Sequence, residues 1–404
     1  MPHTTINRIA RRARVGAFIG AVALAASACA ADEPAAGNSG EGGESPVKVG
    51  VVTSQSGLLS AYGKQFTEGF KAGIDYATEG TGEVDGRELD IEYADDGTDP
   101  AKATSAVTSM VGEGVQIITG PVSSGVAVQV APLAEQNQFL FVSGAAATDA
   151  ITGINDYTFR SGRQTYQDVI TAARIVGGLE GKKVVVFAQD YEFGQANVAA
   201  VEAVLGEGEG AKVVPVLSPV ETSDFTPFAR QVIDQKPDLV FVAWAGETTN
   251  AMWQSLSQQG VFDDTTVVTG LADRASFDSF GPAAQKIDFL SHYFSEASDN
   301  EANQALVSYL EDEGVEADIF HNDGFVAAQM VVQAVREGDD VDAMIDALEG
   351  WEFTGPKGEQ TIREEDHALL QPMFTASLSG EVGNLTPELG DTLDAADIAP
   401  PVAN

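Results

Sequence analysis

Short apolar runs alternate with segments of helical periodicity along most of the chain from Val47 onward. Phe66, Phe70 and Ile74 recur at four-residue spacing, which predicts a helix over 63–77 with one buried face. Such alternation is typical of parallel β-strands joined by crossover helices. The predicted strands cover 47–52, 89–93, 115–118, 139–142, 184–187, 213–216, 239–242 and 266–268.

The length of the chain and a break in the pattern near 160–163 predict two smaller sheets rather than one open sheet. Helical periodicity continues over 304–310 and 326–335 without a clear new sheet between them, so we expect the chain to cross between two lobes more than once. We predict an α/β fold with lobe 1 over 47–161 plus 294–370, lobe 2 over 162–293 plus 371–390, and a tail over 391–404.

Residues 1–28 have the features of an export signal. A cationic start containing four arginines precedes an apolar stretch over 15–26. This stretch is too short for a membrane-spanning helix, which needs about 20 apolar residues. No later segment approaches that length, so we expect a mature chain that does not cross the membrane.

Cys29 is the only cysteine and directly follows the small side chains of residues 25–28. The segment resembles a bacterial lipobox, although Ala26 stands where leucine is usual. We interpret Cys29 as a lipidation site and residues 29–46 as a flexible tether. The alternative is a buried free cysteine. Lipidation predicts a protein held on the outer face of the bacterial cytoplasmic membrane.

The composition argues against several classes of function. Sixty-one acidic and 22 basic residues give a formal charge of −39, which repels nucleic acid. The four histidines are scattered without metal-ligand spacing, and the G-x-S-x-G pattern of a hydrolase nucleophile is absent. We therefore predict a binding protein that is not an enzyme and that needs no metal or cofactor.

Two turns that follow predicted strands are candidates for binding an anion. Residues 120–125 and 143–148 combine small side chains with a predicted helix start, where backbone N–H groups are unpaired. The hydroxyls of Ser124 and Thr148 would add hydrogen bonds to a carboxylate. Both turns are equally well explained as helix caps.

Aromatic side chains also follow predicted strands, at loop positions outside any periodic apolar face. Tyr62, Tyr191, Phe193 and Trp244 are candidates for the wall of a ligand pocket, and packing beneath loops is the alternative. Asp273 is a candidate acceptor for a ligand ammonium group, or else a solvated loop residue.

The order of several segments resembles the branched-chain amino-acid-binding proteins of ABC transporters. The similarity covers nearly all of residues 47–380. It is carried by VKVGVV at 47–52, SG at 56–57, AYG at 61–63, DD at 95–96, DPA at 99–101, GPVSS at 120–124, GAAAT at 144–148, DYEFG at 190–194, KPDLV at 236–240 and FTGPKG at 353–358, with Arg363, Asp366 and His367.

This resemblance implies a type I periplasmic-binding fold, in which each lobe is a parallel sheet flanked by helices and three crossing strands join the lobes. It also implies a site. Ser124 and the backbone of Ser123, Ala145 and Ala147 or Thr148 would hold the ligand α-carboxylate. Tyr62 would flank the ligand, and Tyr191 or Phe193 would stack on it.

Two positions depart from the family pattern. Ala272 falls where amino-acid binders carry an acid, so Asp273 fills that role only if the loop shifts by one residue. Ala245 falls where an aromatic residue is usual, with Trp244 beside it.

The implied function is the extracytoplasmic solute-binding component of an ABC importer. The expected ligand is a branched-chain or other apolar amino acid, bound by cleft closure. We expect the receptor to be a monomer whose partners are the permease subunits of the transporter. Relatives with this fold bind amides, urea or aromatic carboxylates, and these ligand classes are alternatives to an amino acid. A ligand sensor for a membrane kinase and a lipid-anchored hydrolase are competing interpretations of the same chain.

Overall fold

A computed structural model describes residues 45–270 and 272–403. The predicted export signal, Cys29 and nearly all of the predicted tether lie outside the described residues, so these assignments stay predictions.

The described residues form sixteen strands and ten α-helices, and the eight predicted strands are among them. The strands are β1 (Val47–Thr53), β2 (Glu83–Val84), β3 (Arg87–Asp95), β4 (Ile117–Thr119), β5 (Leu140–Ser143), β6 (Thr158–Arg160), β7 (Lys183–Gln189), β8 (Lys212–Ser218), β9 (Leu239–Ala243), β10 (Thr266–Thr269), β11 (Ile287–Ser291), β12 (Glu352–Gly355), β13 (Gly358–Ile362), β14 (Leu369–Leu370), β15 (Met373–Glu381) and β16 (Asn384–Leu393).

Helices separate most of the parallel strands. The α-helices are α1 (Ser60–Ala77), α2 (Pro100–Gly112), α3 (Ser124–Asn137), α4 (Thr165–Val176), α5 (Glu192–Val201), α6 (Thr226–Asp234), α7 (Thr249–Gln259), α8 (Glu301–Asp312), α9 (Ile319–Glu337) and α10 (Val341–Asp346). A 3-10 segment, Arg274–Lys286, stands between β10 and β11 in place of an α-helix.

The first sheet has the strand order β2-β3-β1-β4-β5-β6, and only the β2–β3 pair is antiparallel. Its central strands are buried on both faces because helices cover them on both sides. The connection after β1 runs to one side of the sheet and the connection after β4 runs to the other. The order of the strands therefore reverses between β1 and β4.

The second sheet repeats this arrangement with the order β16-β15-β11-β10-β9-β7-β8. Strands β7 to β11 are parallel, and β15 and β16 add an antiparallel edge. The order reverses between β7 and β9. A separate antiparallel sheet of β12, β13 and β14 lies against α8 and α9.

Three segments of the described chain connect the halves of the molecule. Residues 161–164 lead from β6 to α4, residues 292–300 lead from β11 to α8, and residues 371–372 lead from β14 to β15. Helix α9 then packs closely on α1 of the first half. The chain thus crosses three times between two sheet-centred lobes, as the resemblance implies, while the residue limits of the lobes stay a prediction.

The last described residues pack against the rest of the molecule. Strand β16 extends to Leu393, which lies inside the range predicted as a tail. Beyond it, Ile398 is fully buried, and Arg363 Nη1 donates to the carbonyl oxygen of Pro400 at 2.8 Å. The backbone N–H of Ala403 donates to Asp366 Oδ2 at 2.9 Å.

Glycine permits the close contact of α1 with α9. A Cβ placed on Gly324 of α9 would lie 2.1 Å from the carbonyl oxygen of Phe66, and one on Gly69 of α1 would lie 2.0 Å from that of His321. Side chains at these positions would force the helices apart, since the atoms that they meet belong to the backbone.

We predict that Gly324→Ala lowers the free energy of unfolding by about 1–3 kcal/mol or more through overpacking. Gly112→Ala, at the end of α2 where a Cβ would meet nothing within 4 Å, serves as the matched control. It should be neutral or stabilise the protein by at most about 1 kcal/mol. Urea denaturation of both variants measures the difference, and equal stability would contradict the close helix contact.

Candidate functional site

The two points at which the strand order reverses place loops of both lobes around one gap. In parallel sheets, ligands bind beyond the carboxyl ends of the strands at such points. A small cavity lies there. It is lined by Leu59, Tyr62, Val122, Ser124, Ala145, Ala147, Arg163, Tyr191, Phe193, Ala245 and Phe320. Six of these were predicted from the sequence: Tyr62, Ser124, Ala145, Ala147, Tyr191 and Phe193.

The start of α3 provides one side of the cavity. Ser123 is the N-cap residue, but its side chain makes no capping hydrogen bond. The Ser124 hydroxyl has no hydrogen-bond partner within the described residues, although the side chain is buried and lines the cavity. A helix cap therefore does not account for either hydroxyl, and the helix start adds partial positive charge beside them.

Donors outside the cavity lining hold two carbonyl oxygens of the loop after β5. Arg160 Nη2 donates to Ala146 O at 2.8 Å, and the hydroxyl of Thr165 donates to Ala147 O at 2.9 Å. In a trans peptide the C=O and the next N–H point in opposite directions. The N–H groups of Ala147 and Thr148 consequently face away from these donors, and neither has a backbone acceptor within the described residues.

Thr148 itself does not line the cavity. Its hydroxyl accepts from Ala150 N at 3.3 Å and donates to Glu192 Oε1 at 3.1 Å, so both of its hydrogen-bonding roles are already used. Glu192 begins α5 in the second lobe, which makes this pair a bridge between the lobes. The side chain that was expected to bind an anion serves as a contact between the lobes in this structure.

Aromatic rings form the apolar walls of the cavity. Tyr62 packs against Phe320 with ring centroids 4.4 Å apart, and Tyr191 lies 6.1 Å from Phe193. The Tyr62 hydroxyl accepts from Gly246 N at 3.3 Å, across the gap between the lobes. Burial, followed by the charge of Asp273, raises the pKa of Tyr62 well above its usual value, so this hydroxyl stays protonated.

The prediction that Trp244 walls the cavity needs correction. Its ring is buried in the core of the second lobe, 5.0 Å from the ring of Phe187 and 5.1 Å from that of Phe225. Its Nε1 donates to Thr248 Oγ1 at 3.0 Å. Successive side chains after a strand point to opposite faces, and here it is Ala245 that faces the cavity.

Asp273 lies in a second, larger cavity that shares Leu59 and Tyr62 with the first. Its carboxylate accepts from Ser276 N at 3.1 Å and thereby caps the 3-10 segment that follows. Burial raises the pKa of this carboxyl. Asp273 is thus a buried acid at the edge of the gap rather than a solvated loop residue.

Sequence reasoning missed five lining residues, of which Arg163 is the most consequential. Ala245 was noted only as a departure from the family pattern. Leu59, Val122 and Phe320 are apolar and carry no signal that separates them from the core. Arg163 is only 1% exposed and lies in the segment 161–164 that crosses between the lobes. The sequence feature that could have pointed to Arg163 was its position in the break of the strand and helix pattern near 160–163.

The described residues contain no group of three or more His, Cys, Asp or Glu side chains arranged to hold a metal ion. They also contain no helix that is long and apolar enough to cross a membrane.

Comparison with known proteins identifies the family. The sequence profile of the family described as periplasmic binding protein matches residues 46–382, which is most of the chain. The chain belongs to this family. The match confirms the type I periplasmic-binding fold expected from the sequence, and the two parallel sheets and three crossings agree with it.

Relatives of this periplasmic binding protein include transport proteins of several bacteria. A Leu/Ile/Val-binding protein of Rhizobium johnstonii is 23% identical over 325 residues, or 79% of this chain and 88% of the relative. A solved structure from Rhodopseudomonas palustris CGA009, described as an ABC-type branched-chain amino acid transporter, is 30% identical. It covers 89% of this chain and 99% of its own, with a TM-score of 0.75.

A further solved structure shares the fold at 24% identity with a TM-score of 0.79, covering 88% of this chain and 98% of its own. It is a solute-binding protein of an ABC transporter from R. palustris, in complex with 4-hydroxybenzoate. Together these relatives identify this periplasmic binding protein as the substrate-binding component of an ABC transporter for a small molecule, and not as an enzyme.

Proposed function

We propose that the protein binds a small carboxylate with an apolar body in the gap between its lobes and delivers it to the permease subunits of an importer. The observation that carries this proposal is the cavity itself. Unpaired donors at Ser124 and Ala147 stand on one side, and aromatic rings such as Tyr191 and Phe193 stand on the other. Donors attract a carboxylate, and the rings exclude water from the rest of the ligand.

An apolar amino acid is the first candidate ligand. The Leu/Ile/Val-binding relatives and the 30% identical transporter structure support it. Asp273 in the adjoining cavity would receive the α-ammonium group, since a buried carboxylate gains from a cationic partner.

An aromatic carboxylate is the second candidate. No acid is among the described residues that line the smaller cavity, whereas four aromatic side chains are: Tyr62, Tyr191, Phe193 and Phe320. A ligand without an ammonium group needs no acidic partner there and would place its ring among these side chains.

The location of the protein is proposed from sequence alone. Lipidation of Cys29 after export would hold the folded part on the outer face of the cytoplasmic membrane, and residues 30–46 would give it reach. A monomer suffices for this role, because one chain supplies both sides of the cavity.

A panel of ligands tests the proposed function directly. The purified chain is screened by thermal shift and calorimetry against leucine, isoleucine, valine, benzoate and 4-hydroxybenzoate, with leucinamide and benzamide as partners in which a neutral amide replaces the carboxylate. Ligand at about 100 times its Kd adds about 2.7 kcal/mol to stability, so a binder raises the melting temperature clearly. Stabilisation by amides alone, or by none of the panel, would reject a carboxylate receptor.

Asp273→Asn separates the two candidate ligands. Asparagine keeps an oxygen to cap the 3-10 segment but lacks the charge, so affinity for an amino acid should fall about tenfold or more, while affinity for benzoate should not change. Asp224→Asn is the matched control, because Asp224 accepts a backbone N–H of similar geometry at the start of α6, outside both cavities. Equal loss for both ligands would remove Asp273 from the ammonium site.

Ligand binding should be coupled to closure of the lobes. Loops of the two lobes already touch beside the cavity, where Gly246 N donates to Tyr62 and Thr148 donates to Glu192. A Cβ on Gly246 would lie 2.6 Å from the carbonyl oxygen of Leu58 in the opposite lobe. A side chain at this position therefore obstructs the closed arrangement. A ligand that contacts both lobes selects that arrangement by its greater affinity for it.

We predict that Gly246→Ala weakens ligand binding about 5- to 100-fold, which corresponds to destabilising the closed arrangement by about 1–3 kcal/mol. Gly86→Ala is the control, since Gly86 has a φ of +83° against +84° for Gly246, with nothing within 4 Å of a Cβ. Both variants carry the same backbone strain, and only Gly246→Ala hinders contact between the lobes. Identical affinities in calorimetry would show that this contact is not part of the bound state.

A further inference from the structure

The cavity contains one ionised side chain among its described lining residues, the guanidinium of Arg163. Buried cations require partners, because transfer of a charge from water into a protein interior is costly. The contacts of Arg163 therefore show how much of its charge and of its hydrogen-bonding capacity is already used.

The protein uses only part of the guanidinium. Nε lies 3.3 Å from Asp168 Oδ2, and Nη1 donates to the carbonyl oxygen of Ala145 at 3.1 Å. Nη2 donates no hydrogen bond to any described residue. A guanidinium has five N–H donors, and its two terminal nitrogens form a fork that matches a carboxylate. Three of the four hydrogens on that fork are unused.

Asp168 is an incomplete partner for this cation. Its Oδ1 is buried and has no hydrogen-bond partner within the described residues, so the pair is held through one edge of the guanidinium only. Burial raises the pKa of the Asp168 carboxyl to about 6, against the opposing effect of Arg163. The ion pair thus leaves room for a second anion on the cavity side.

The position of Arg163 in the chain connects the cavity to both lobes. Arg163 belongs to the crossing segment 161–164, its Nη1 holds the first-lobe loop at Ala145, and its Nε faces Asp168 on α4 of the second lobe. An anion on the free side of this guanidinium would be held at the place where the lobes are joined.

We propose that Arg163 receives the ligand carboxylate and is the residue that selects carboxylates over the corresponding amides, which lack the negative charge. This inference rests on the proposed function and deepens it: Ser124 and the free N–H groups orient the anion, while Arg163 supplies the opposite charge. Asp168 competes with the ligand for the same cation.

The test compares how the loss of charge on the ligand and the loss of charge on the protein change the binding affinity. Affinities for benzoate, benzamide, leucine and leucinamide are determined by calorimetry for the wild-type chain, Arg163→Gln and Asp168→Asn. Arg163→Gln should lose about 10- to 100-fold in affinity for the carboxylates and much less for the amides, since a hydrogen-bonded opposite charge is removed. A merely structural role would lower both affinities by the same factor.

Asp168→Asn should change the preference for carboxylates in the opposite direction to Arg163→Gln. Removal of the competing carboxylate leaves less negative charge beside the guanidinium, with Asp323 as the remaining buried acid that interacts with it, so carboxylate affinity should rise about tenfold relative to amide affinity, even though the variant is less stable without ligand. If Arg163→Gln does not fold, the direction of the affinity change in Asp168→Asn tests the proposed role of Arg163. Arg174→Gln, an exposed arginine on the same helix α4, controls for a general loss of positive charge and should not change the preference.

Two failures can be told apart. A wild-type chain that binds none of the carboxylates overturns the proposed function together with this inference. A wild-type chain that prefers carboxylates, with equal loss for both ligand classes in Arg163→Gln and no gain in Asp168→Asn, overturns the assignment of Arg163 alone.

Discussion

A buried charge that is only partly neutralised is the constraint that shapes this cleft. The guanidinium of Arg163 is almost wholly removed from solvent, and Asp168 covers one edge of it. The protein could have used a neutral side chain there at a lower cost of desolvation. In the proposed function, a ligand anion would add to the partial pairing by Asp168, and the surrounding loops provide the donors that would hold such an anion in place.

The topology explains why these groups meet. Two sheets with the same order of central strands present the carboxyl ends of those strands to one gap, and three segments of the described chain cross between the lobes. Each lobe supplies half of the surroundings: the first gives Ser124 and the loop of Ala147, and the second gives Tyr191 and Phe193. If the ligand binds in this cavity as proposed, neither half encloses it alone, and ligand affinity and the arrangement of the lobes are linked.

The sequence allowed prediction of eight of the ten parallel strands among the described residues, all but β6 and β11, and of six lining residues, because these follow from local patterns. A run such as 239–242 is apolar whatever lies beside it, and a loop such as 143–148 follows its strand directly. The antiparallel edge of β15 and β16 was not predicted, since its exposed side chains weaken the apolar pattern. Trp244 was misplaced because a shift of one residue after a strand reverses the direction of a side chain. Arg163 was missed because its burial depends on tertiary contacts, such as that with Ala145, which the local sequence does not show.

A crystal structure of the protein with a carboxylate from the ligand panel tests this view of the cleft most directly. We expect the carboxylate oxygens within about 3 Å of the terminal nitrogens of Arg163 and of the Ser124 hydroxyl, and the apolar body between Tyr191 and Phe193. A ligand bound outside the gap between the two sheets, or one whose carboxylate points away from Arg163, would contradict it.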